Sequence, residues 1–376
     1  MSSMMTQASP VLFGCGAINE LGDKVKEFGG TKAICAYDAG VAAAGIADKI
    51  AGILKDAGIE TVLFDKIAFE TPDDEINKNS EDMRASGADC MIGIGGGSCL
   101  DSAKAYAVLM KNPPPISEYY ASKIGPFPKP HVPLILIPTN SGTGSEATGL
   151  SVVHDTATHT KEAVFGFADL AILDPELTVT APPKVTAASG MDAMSHALEA
   201  FTSNTPSPKS DLLALDAISR IAANLERAVK NGADIEARTE LAIASNFAGM
   251  AFFDASVHFG HSIAHAFGLE FNMPHGIACA LVAPEVIAFT ERAVPERTAQ
   301  IHKALGAPEG QSAADFVRGL MHKIEIPTLA SLGISREKCV GSVAACLREW
   351  FIIRSSLPVD EAVMEEILCA MYDNYQ

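Results

Sequence analysis

The first half of the chain alternates short β-rich runs with helical stretches, and this alternation constrains the fold more than any other feature. Strands are predicted at residues 33–37, 61–64, 90–94 and 134–137, and helices at residues 45–57 and 74–85. Strands that alternate with helices pair in parallel through right-handed crossovers. The first half is therefore predicted to form a parallel sheet.

Beyond about residue 186 the strand patterns disappear. Helices are predicted at residues 187–202, 209–230, 235–253, 262–269 and 276–299. Because 376 residues suffice for two hydrophobic cores, we expect an α/β domain over residues 1–183 and an all-helical domain over residues 184–376. The boundary falls near Ala181-Pro182-Pro183.

The composition excludes several classes of protein. A net charge of −18 leaves no basic surface that could replace the counterions of nucleic acid. No apolar run reaches the ~18 residues of a membrane span, and residues 1–7 lack the basic and apolar regions of a signal peptide. Eight cysteines without CxxC pairs are typical of reduced thiols, and we expect Cys35, Cys90, Cys279 and Cys369 to be buried. A cytoplasmic globular protein is expected.

One carboxylate and three imidazoles have the spacing of a metal site. Asp192 and His196 stand four residues apart in a helix-favouring stretch, which places both on one helical face. His261 and His275 follow in a second apolar segment, where burial without a partner would be costly. Such a set suits a borderline divalent ion such as Fe²⁺ or Zn²⁺. Each residue alone would fit an ordinary packing role, but the combination favours a metal site.

A glycine-rich turn follows the third predicted strand. Gly95, Gly96 and Gly97 lead into Ser98 at the start of a predicted helix. Glycines let the backbone approach a phosphate, and the free N–H groups of a helix N-terminus bind it. Ser98 is predicted both to cap the helix and to donate to the phosphate. The turn matches neither a Walker motif nor GxGxxG, so a turn without a ligand stays open as an alternative.

Two further strand ends carry polar residues suited to a nucleotide. Asp38 follows the first strand, where a carboxylate can accept hydrogen bonds from an adenine ribose and would repel the 2′-phosphate of NADP. Residues 138–146 follow the fourth strand and are rich in hydroxyl groups and glycine. Sheets of this kind bind ligands at the carboxyl ends of their strands. A plain turn is the alternative in both places.

Four motifs, in order along the chain, resemble the iron-containing (group III) alcohol dehydrogenase family. They are Gly95-Gly96-Gly97-Ser98 with Asp101 and Lys104, Pro138-Thr139 with Gly142-Thr143-Gly144-Ser145-Glu146, Gly190-Met191-Asp192-Ala193 with His196 and Glu199, and His261 with His265, Asn272 and Pro274-His275-Gly276. The resemblance implies the two-domain plan shared with dehydroquinate synthase. In that plan a nucleotide-binding α/β domain precedes a helical metal-binding domain, and the active site lies in the cleft between them.

The resemblance also implies roles for particular residues. The metal ligands would be Asp192, His196, His261 and His275. His265 would lie near the nicotinamide and relay a proton. The cofactor contacts would be Asp38, Gly95, Gly96, Gly97, Ser98, Thr139, Asn140, Thr143, Ser145 and Lys161.

The chain departs from the family pattern at several positions. Asn140 replaces a frequent second threonine, and Thr71 replaces a frequent asparagine. The segment after Lys161 is a few residues short, which leaves the assignment of this lysine open. Asp254 and His258 stand where asparagine and glycine are usual. We expect His258 on a helix surface, with contact to an anionic group of the substrate as the alternative.

Together these features predict a metal-dependent, NAD(H)-linked alcohol dehydrogenase that interconverts a small primary alcohol and its aldehyde. Fe²⁺ is the expected ion, with Zn²⁺ as the alternative, and a homodimer or larger homo-oligomer is the expected assembly. The substrate stays open among diols, 1,3-propanediol and small anionic aldehydes of the 4-hydroxybutyrate or sulfonated type. A dehydroquinate synthase-like lyase would need lysines and arginines for a phosphorylated acid, and residues 192–275 carry few. A non-catalytic NAD sensor would not need four metal ligands.

Overall fold

A computed structural model describes residues 5–7 and 9–376 of the chain. Residues 1–4, part of the segment assessed for a signal peptide, lie outside the described residues. The described chain divides into two compact units. The sheet unit comprises residues 7–140 and 145–180 except residue 8, and the helical unit comprises residues 5–6, 141–144 and 181–376. Among the described residues, no helix combines the length and the apolar character that a bilayer span demands.

The sheet unit is built on six parallel strands in the order β1-β8-β5-β4-β2-β3. A separate antiparallel hairpin joins β6 to β7. The strands β4 and β5 are buried along their whole length, as in parallel sheets that are covered on both faces. The strands are β1 (Val11–Phe13), β2 (Lys32–Ala36), β3 (Glu60–Phe64), β4 (Cys90–Gly95), β5 (Leu134–Pro138), β6 (Leu150–Asp155), β7 (Thr160–Phe165) and β8 (Leu170–Leu173).

Helices connect these strands and cover the sheet. Successive residues of a strand point to opposite faces, and accordingly Met91 and Ile92 of β4 belong to two different hydrophobic cores. Short 3₁₀ turns occur at Ala17–Glu20, Ile116–Tyr119, Ser145–Ala147 and Pro175–Thr178. The helices are α1 (Leu21–Glu27), α2 (Ala39–Ala43), α3 (Ile46–Asp56), α4 (Asp73–Ala85), α5 (Gly97–Lys111) and α6 (Ala121–Ile124).

The strand order reverses direction between β2 and β4. From β2 the chain moves to β3 at one edge of the sheet and then returns to β4 on the other side of β2. A reversal of this kind opens a crevice at the carboxyl ends of the two strands, where open α/β sheets bind their ligands. Asp38 follows β2, and the glycine turn of residues 95–98 ends β4. The topology therefore places both predicted nucleotide elements at the switch point.

The helical unit contains every regular element after residue 181, and each of them is a helix. Its first helix is buried along most of its length, which suits a helix at the centre of a bundle. A 3₁₀ turn occupies Trp350–Arg354. The helices are α7 (Pro183–Thr202), α8 (Pro208–Lys230), α9 (Ile235–Ala255), α10 (Phe259–Phe271), α11 (His275–Thr290), α12 (Pro295–Leu305), α13 (Ala313–Lys323), α14 (Arg336–Gly341), α15 (Val343–Cys346) and α16 (Glu361–Asp373).

A short segment from the middle of the sequence packs inside the helical unit. Residues Ser141–Gly144 belong to this unit although the chain on both sides of them belongs to the sheet unit. A Cβ atom on Gly144 would lie 2.6 Å from the carbonyl oxygen of Ser245, and one on Gly249 would lie 2.6 Å from the carbonyl oxygen of Gly144. The segment and α9 therefore touch backbone to backbone.

The predicted fold class is confirmed, and most predicted elements agree with the structure to within four residues. The continuous helix predicted over residues 276–299 is wrong. It ends at Thr290, and α12 begins at Pro295, since proline lacks an N–H group but fits the first turn of a helix. The strands β1 and β8 and the hairpin were not predicted. All eight cysteines are free thiols, but Cys369 is half-buried and not buried as predicted.

Candidate active site

The four predicted metal ligands come together inside the helical unit. Asp192 and His196 lie one turn apart on α7, His261 lies on α10, and His275 is the first residue of α11. The carboxylate oxygen Oδ1 of Asp192 is 3.4 Å from Nε2 of His275 and 3.9 Å from Nε2 of His261. It is 3.6 Å from Nδ1 of His196. Two donors bound tetrahedrally to one ion at about 2.1 Å lie about 3.4 Å apart, so this spacing fits a divalent cation.

The chemistry of the donors also fits a cation. Asp192 Oδ1 and His196 Nδ1 are buried and have no hydrogen-bond partner; such atoms cost about 1–3 kcal/mol each unless something binds them. Burial works to raise the pKa of Asp192, but the imidazoles beside it outweigh burial and hold that pKa well below its usual range. Burial lowers the pKa of His196 to about 3. The carboxylate is thus ionised and His196 is neutral, the states that metal ligands require.

Glycines allow the three helices to approach closely enough to form this cluster. A Cβ atom on Gly276 would lie 2.3 Å from the carbonyl oxygen of Ala188 on α7. Only glycine therefore lets the first turn of α11, which carries His275, rest against α7. A Cβ atom on Gly260 would lie 2.6 Å from Oε1 of Glu199. Gly260 thus makes room for the carboxylate that lies behind His261.

Glu199 supports His261 from that side. The carboxylate is fully buried, and its Oε1 accepts hydrogen bonds from Nδ1 of His261 at 2.5 Å and from Oγ of Ser195 at 3.1 Å. Its Oε2 accepts from the backbone N–H groups of His258 at 2.7 Å and His261 at 3.2 Å. Because a carboxylate only accepts, the proton of His261 resides on Nδ1 and Nε2 is left free to bind a metal. Glu199 also caps α10, whose N-cap residue makes no side-chain bond of its own.

His258 occupies neither of the places predicted for it. The residue is fully buried at the start of α10, so the predicted helix-surface position is wrong, and it exposes no surface to a substrate. Its Nε2 lies 2.9 Å from Oγ1 of Thr202, which itself donates to the carbonyl of Leu198. His258 therefore donates from Nε2 to Thr202 and packs over Glu199, with its Nδ1 3.4 Å from Oε2. Its role is to fill the space behind the cluster.

Cys279 joins the donor cluster and was missed from the sequence. Its Sγ lies 3.5 Å from Nε2 of His275 and 3.9 Å from Nε2 of His261. One donor atom each from Asp192, His261, His275 and Cys279 all lie within 4.8 Å of one another. The signal that could have found Cys279 is its four-residue spacing from His275, since residues four apart share one face of a helix.

His265 lies beside the donor cluster, one turn beyond His261 on α10. Its ring centroid is 5.6 Å from that of His275, and its Nδ1 lies 3.1 Å from Oε1 of Glu349. Burial lowers the pKa of His265, although Glu349 works against the shift. At neutral pH the ring is therefore neutral, donates from Nδ1 to Glu349 and keeps Nε2 as an acceptor.

The glycine turn in the sheet unit has the geometry of a close backbone approach. Gly95 has a φ of 144°, a conformation that favours glycine, and a Cβ atom there would lie 2.6 Å from Sγ of Cys99. The helix α5 begins at Gly97 with Gly96 as its N-cap. The prediction that Ser98 caps this helix is therefore wrong, because Ser98 lies inside the first turn, where its Oγ accepts from the N–H of Glu70 at 3.1 Å.

Three of the other predicted cofactor contacts lie near this turn. Asp38 caps α2 by accepting a hydrogen bond from the N–H of Val41 at 2.9 Å, and the side chain of Val41 would lie 3.4 Å from a Cβ atom on Gly95, at the start of the turn. Thr139 donates from its N–H to the carbonyl of Gly95 at 3.1 Å. Asn140 also contacts the turn, because a Cβ atom on Gly96 would lie 2.7 Å from Nδ2 of Asn140.

Three predicted cofactor contacts are not gathered at the turn. Lys161 on β7 pairs with Oε2 of Glu70 at 3.1 Å and is linked to the turn only through the bond from the N–H of Glu70 to Ser98. The hydroxyl of Ser145 donates to Asp101 at 2.6 Å and accepts from the buried Lys104 at 2.8 Å. Thr143 belongs to the segment that packs in the helical unit. Of these three, Ser145 is engaged in a network of buried polar groups.

Comparison with known protein families accounts for both units. The family model for iron-containing alcohol dehydrogenases matches residues 8–175, and the model for the C-terminal part of the same family matches residues 186–372. The chain belongs to the iron-containing alcohol dehydrogenase family. It is an oxidoreductase that acts on alcohols or aldehydes.

Individual relatives of this dehydrogenase cover nearly all of it. It is 35% identical to a sulfoacetaldehyde reductase of Bilophila wadsworthia, over 97% of both chains. It is 36% identical to the long-chain-alcohol dehydrogenase 1 of Geobacillus thermodenitrificans, over 96% of this chain and 94% of the relative. Its fold matches the crystal structure of a sulfoacetaldehyde reductase from Bifidobacterium kashiwanohense in complex with NAD⁺, with a TM-score of 0.91, 26% identity and 99% of both chains covered. The dehydrogenase thus shares its architecture with relatives that act on quite different aldehydes and alcohols.

Proposed function

We propose that this dehydrogenase interconverts a small primary alcohol and its aldehyde with NAD(H), at a divalent ion held by Asp192, His196, His261 and His275. The observation that carries the proposal is the partnerless, buried Oδ1 of Asp192, which faces nitrogen atoms of all three histidines at 3.4–3.9 Å. Fe²⁺ is the proposed ion because of the family, and Zn²⁺ accepts the same donors.

The side chains around this cluster suggest how a proton is handled. When bound, the divalent ion supplies Lewis acidity that lowers the pKa of an alcohol, and the nicotinamide supplies or accepts the hydride. Neutral His265 would accept the proton released by an alcohol at its Nε2, and it would return a proton when an aldehyde is reduced. Glu349 orients this ring by accepting from Nδ1. The negative charge of Asp192 offsets part of the charge of the ion and keeps it in place.

The sheet unit supports NAD(H) as the cofactor. The glycine turn at the end of β4 offers backbone N–H groups of α5 to a pyrophosphate. At the neighbouring end of β2, the carboxylate of Asp38 would accept from a ribose hydroxyl and repel a 2′-phosphate. We therefore propose cofactor contacts at Asp38, Gly95, Gly96, Gly97 and Ser98. Thr139 and Asn140 are proposed to contact the cofactor because both meet the turn, whereas Thr143, Ser145 and Lys161 rest on the family resemblance alone.

A small anionic aldehyde is the second candidate substrate. The observation that favours it is the 35% identity with a sulfoacetaldehyde reductase over 97% of both chains. The family also contains relatives named for 1,3-propanediol and long-chain alcohols. Neutral alcohols and aldehydes therefore remain the first candidate substrates.

The cysteines and the family resemblance bear on the location and the assembly of the enzyme. Eight free cysteines suit the reducing conditions of the cytoplasm, and we propose that location. A homodimer is proposed from the family resemblance, and its mass in solution can be measured by light scattering.

A reconstitution experiment tests the proposed function. Chelated enzyme is loaded with Fe²⁺ or Zn²⁺ and assayed for oxidation of NADH and NADPH against a panel of neutral aldehydes and sulfoacetaldehyde. We expect metal-dependent NADH oxidation with the wild type and its loss with His261→Ala, while His302→Ala serves as a control at a histidine far along the chain on α12. His265→Asn should flatten the pH profile of kcat, because the proposed proton acceptor is gone.

The outcomes separate the two substrate classes. A kcat/KM at least about 100-fold higher for a neutral aldehyde than for sulfoacetaldehyde supports the first candidate, and the reverse ratio supports the second; differences of this size correspond to about 2.7 kcal/mol of transition-state binding. No metal-dependent oxidation of NADH with any aldehyde would refute the proposed function.

A further inference from the structure

The position of Cys279 sets it apart from the other buried cysteines. Cys90 and Cys339 lie against backbone carbonyl groups, those of Met91 and Leu368. The Sγ of Cys279 instead faces the metal-binding nitrogens of His275 and His261, at 3.5 and 3.9 Å. A sulfur at about 2.3 Å from an ion and a nitrogen at about 2.1 Å are about 3.1 Å apart at a bond angle of 90° and about 3.8 Å apart at 120°, the angles of a five-coordinate site. Both separations are therefore close to those of two ligands of one ion.

The compact donor group includes Cys279 and leaves out His196. The donor atoms of Asp192, His261, His275 and Cys279 all lie within 4.8 Å of one another. His196 contacts the cluster through Asp192. Its ring stacks on Phe252, with centroids 4.3 Å apart, and is tilted against the ring of His261, with centroids 4.4 Å apart.

We propose that the sulfur of Cys279 is a ligand of the metal ion in this enzyme, in addition to the four predicted ligands. This inference rests on the metal site of the proposed function and adds a donor to it. As the metal–sulfur bond forms, the thiol gives up its proton to water, as cysteine ligands do.

A thiolate ligand changes which ions the site prefers. Sulfur is a soft donor that favours Zn²⁺ and Co²⁺ over ions such as Mn²⁺, which prefer oxygen. The same site without Cys279 would consist of one carboxylate and imidazoles, a set that discriminates less. The structure thus assigns to Cys279 a part in metal selectivity, whatever the substrate of the enzyme is.

Cobalt substitution tests the assignment with a signal that does not depend on activity. Chelated enzyme is loaded with one equivalent of Co²⁺, and its absorption spectrum is recorded. We expect a thiolate-to-cobalt charge-transfer band in the near ultraviolet for the wild type, together with the visible bands of cobalt in a protein site. Cys279→Ser should keep the visible bands and lose the charge-transfer band. Cys15→Ser, which removes the exposed cysteine, should keep both.

The outcomes distinguish this proposal from the proposed function. Visible cobalt bands without a charge-transfer band in the wild type would overturn the role of Cys279 and leave the metal enzyme intact. No cobalt binding at all would overturn both. A competition assay gives a second readout, since Cys279→Ser is expected to lose about tenfold or more in its preference for Zn²⁺ over Mn²⁺, and an unchanged preference contradicts the proposal.

X-ray absorption on the zinc-loaded wild type needs no variant that could fail to fold. A sulfur scatterer at about 2.3 Å from zinc is expected. A first shell made only of nitrogen and oxygen would overturn the proposal.

Discussion

Replacing Glu199 with glutamine is expected to weaken metal binding although Glu199 is not a ligand. Glutamine keeps the shape of the side chain but turns one acceptor oxygen into an N–H₂ donor. The oxygen Oε2 accepts two backbone N–H groups at the start of α10, from His258 and His261. The amide oxygen should therefore remain at Oε2, and the N–H₂ group should take the place of Oε1.

The new N–H₂ group then faces Nδ1 of His261, where a 2.5 Å hydrogen bond existed. Two donors cannot share that space, so the imidazole proton moves to Nε2, the nitrogen that faces Asp192 at 3.9 Å. Metal binding must reverse this change and leave the Nδ1 proton without an acceptor, at about 1–3 kcal/mol. Since about 1.4 kcal/mol is a factor of ten, we expect Glu199→Gln to bind Zn²⁺ about 10- to 100-fold more weakly.

The assay is Zn²⁺ competition with a chromophoric chelator on the wild type and two variants. The matched control is Glu285→Gln, because Glu285 is also buried and lies on α11 but pairs with Arg318. It should lower the denaturation midpoint and leave Zn²⁺ affinity unchanged. A Glu199→Gln affinity within twofold of the wild type would refute the assignment of the His261 proton.

Two predictions concern the sheet unit. Thr71 has a φ of 56°, which is strained for a β-branched residue and tolerated by asparagine, so Thr71→Asn should raise the free energy of unfolding by about 0.5–1 kcal/mol. The control is Thr71→Val, which keeps the strain and loses only the 3.3 Å bond to the carbonyl of Ser98. Equal urea midpoints for the wild type and Thr71→Asn would contradict the reasoning. Burial works to raise the pKa of Asp89, but hydrogen bonds from the Thr31 hydroxyl and from the N–H groups of Lys32 and Thr31 outweigh burial and lower it. A lowered pKa stabilises the folded protein at pH values above the ordinary carboxyl value of 3.8, and this stabilisation is lost as the pH falls through the pKa of the folded state. The difference in free energy of unfolding between the wild type and Asp89→Asn should therefore be about 1–2 kcal/mol at pH 7 and should shrink toward pH 3. Urea midpoints at both pH values measure it, with exposed Asp82→Asn as control, and a gap that does not depend on pH would contradict the role of this carboxylate.

The fold could be predicted from the sequence where local patterns are strong. The strands β2 to β5 are apolar runs between helices, and their pattern alone indicates a parallel sheet. The strands β1 and β8 have three and four residues, too few for a clear pattern, and their pairing with each other is set by contacts 160 positions apart in sequence. Pro295 marks the break between the two helices in the sequence, but the apolar run that precedes it favours one longer helix.

The metal cluster could be predicted in part, because ligand types and helical spacing are properties of the sequence. Asp192 and His196 on one face, and the two later histidines, are brought together as expected. The burial of His258 could not be read from the sequence, since it depends on Glu199 reaching over from α7. A cysteine in an apolar run usually has a packing role, so the sequence alone predicts no more than that for Cys279. Its short distance from His261 exists only in the folded chain.

Because Ser141–Gly144 belong to the helical unit, no single cut in the chain divides it into the two units. A fragment that begins at residue 181 would lack the backbone that rests on Gly249. Gly249 is synthesised 105 residues after Gly144, and closing a loop of that length costs roughly 4 kcal/mol of chain entropy. During translation Gly144 can pack against Gly249 only after α9 has left the ribosome. Maturation of the helical unit is in this way tied to a segment made well before it.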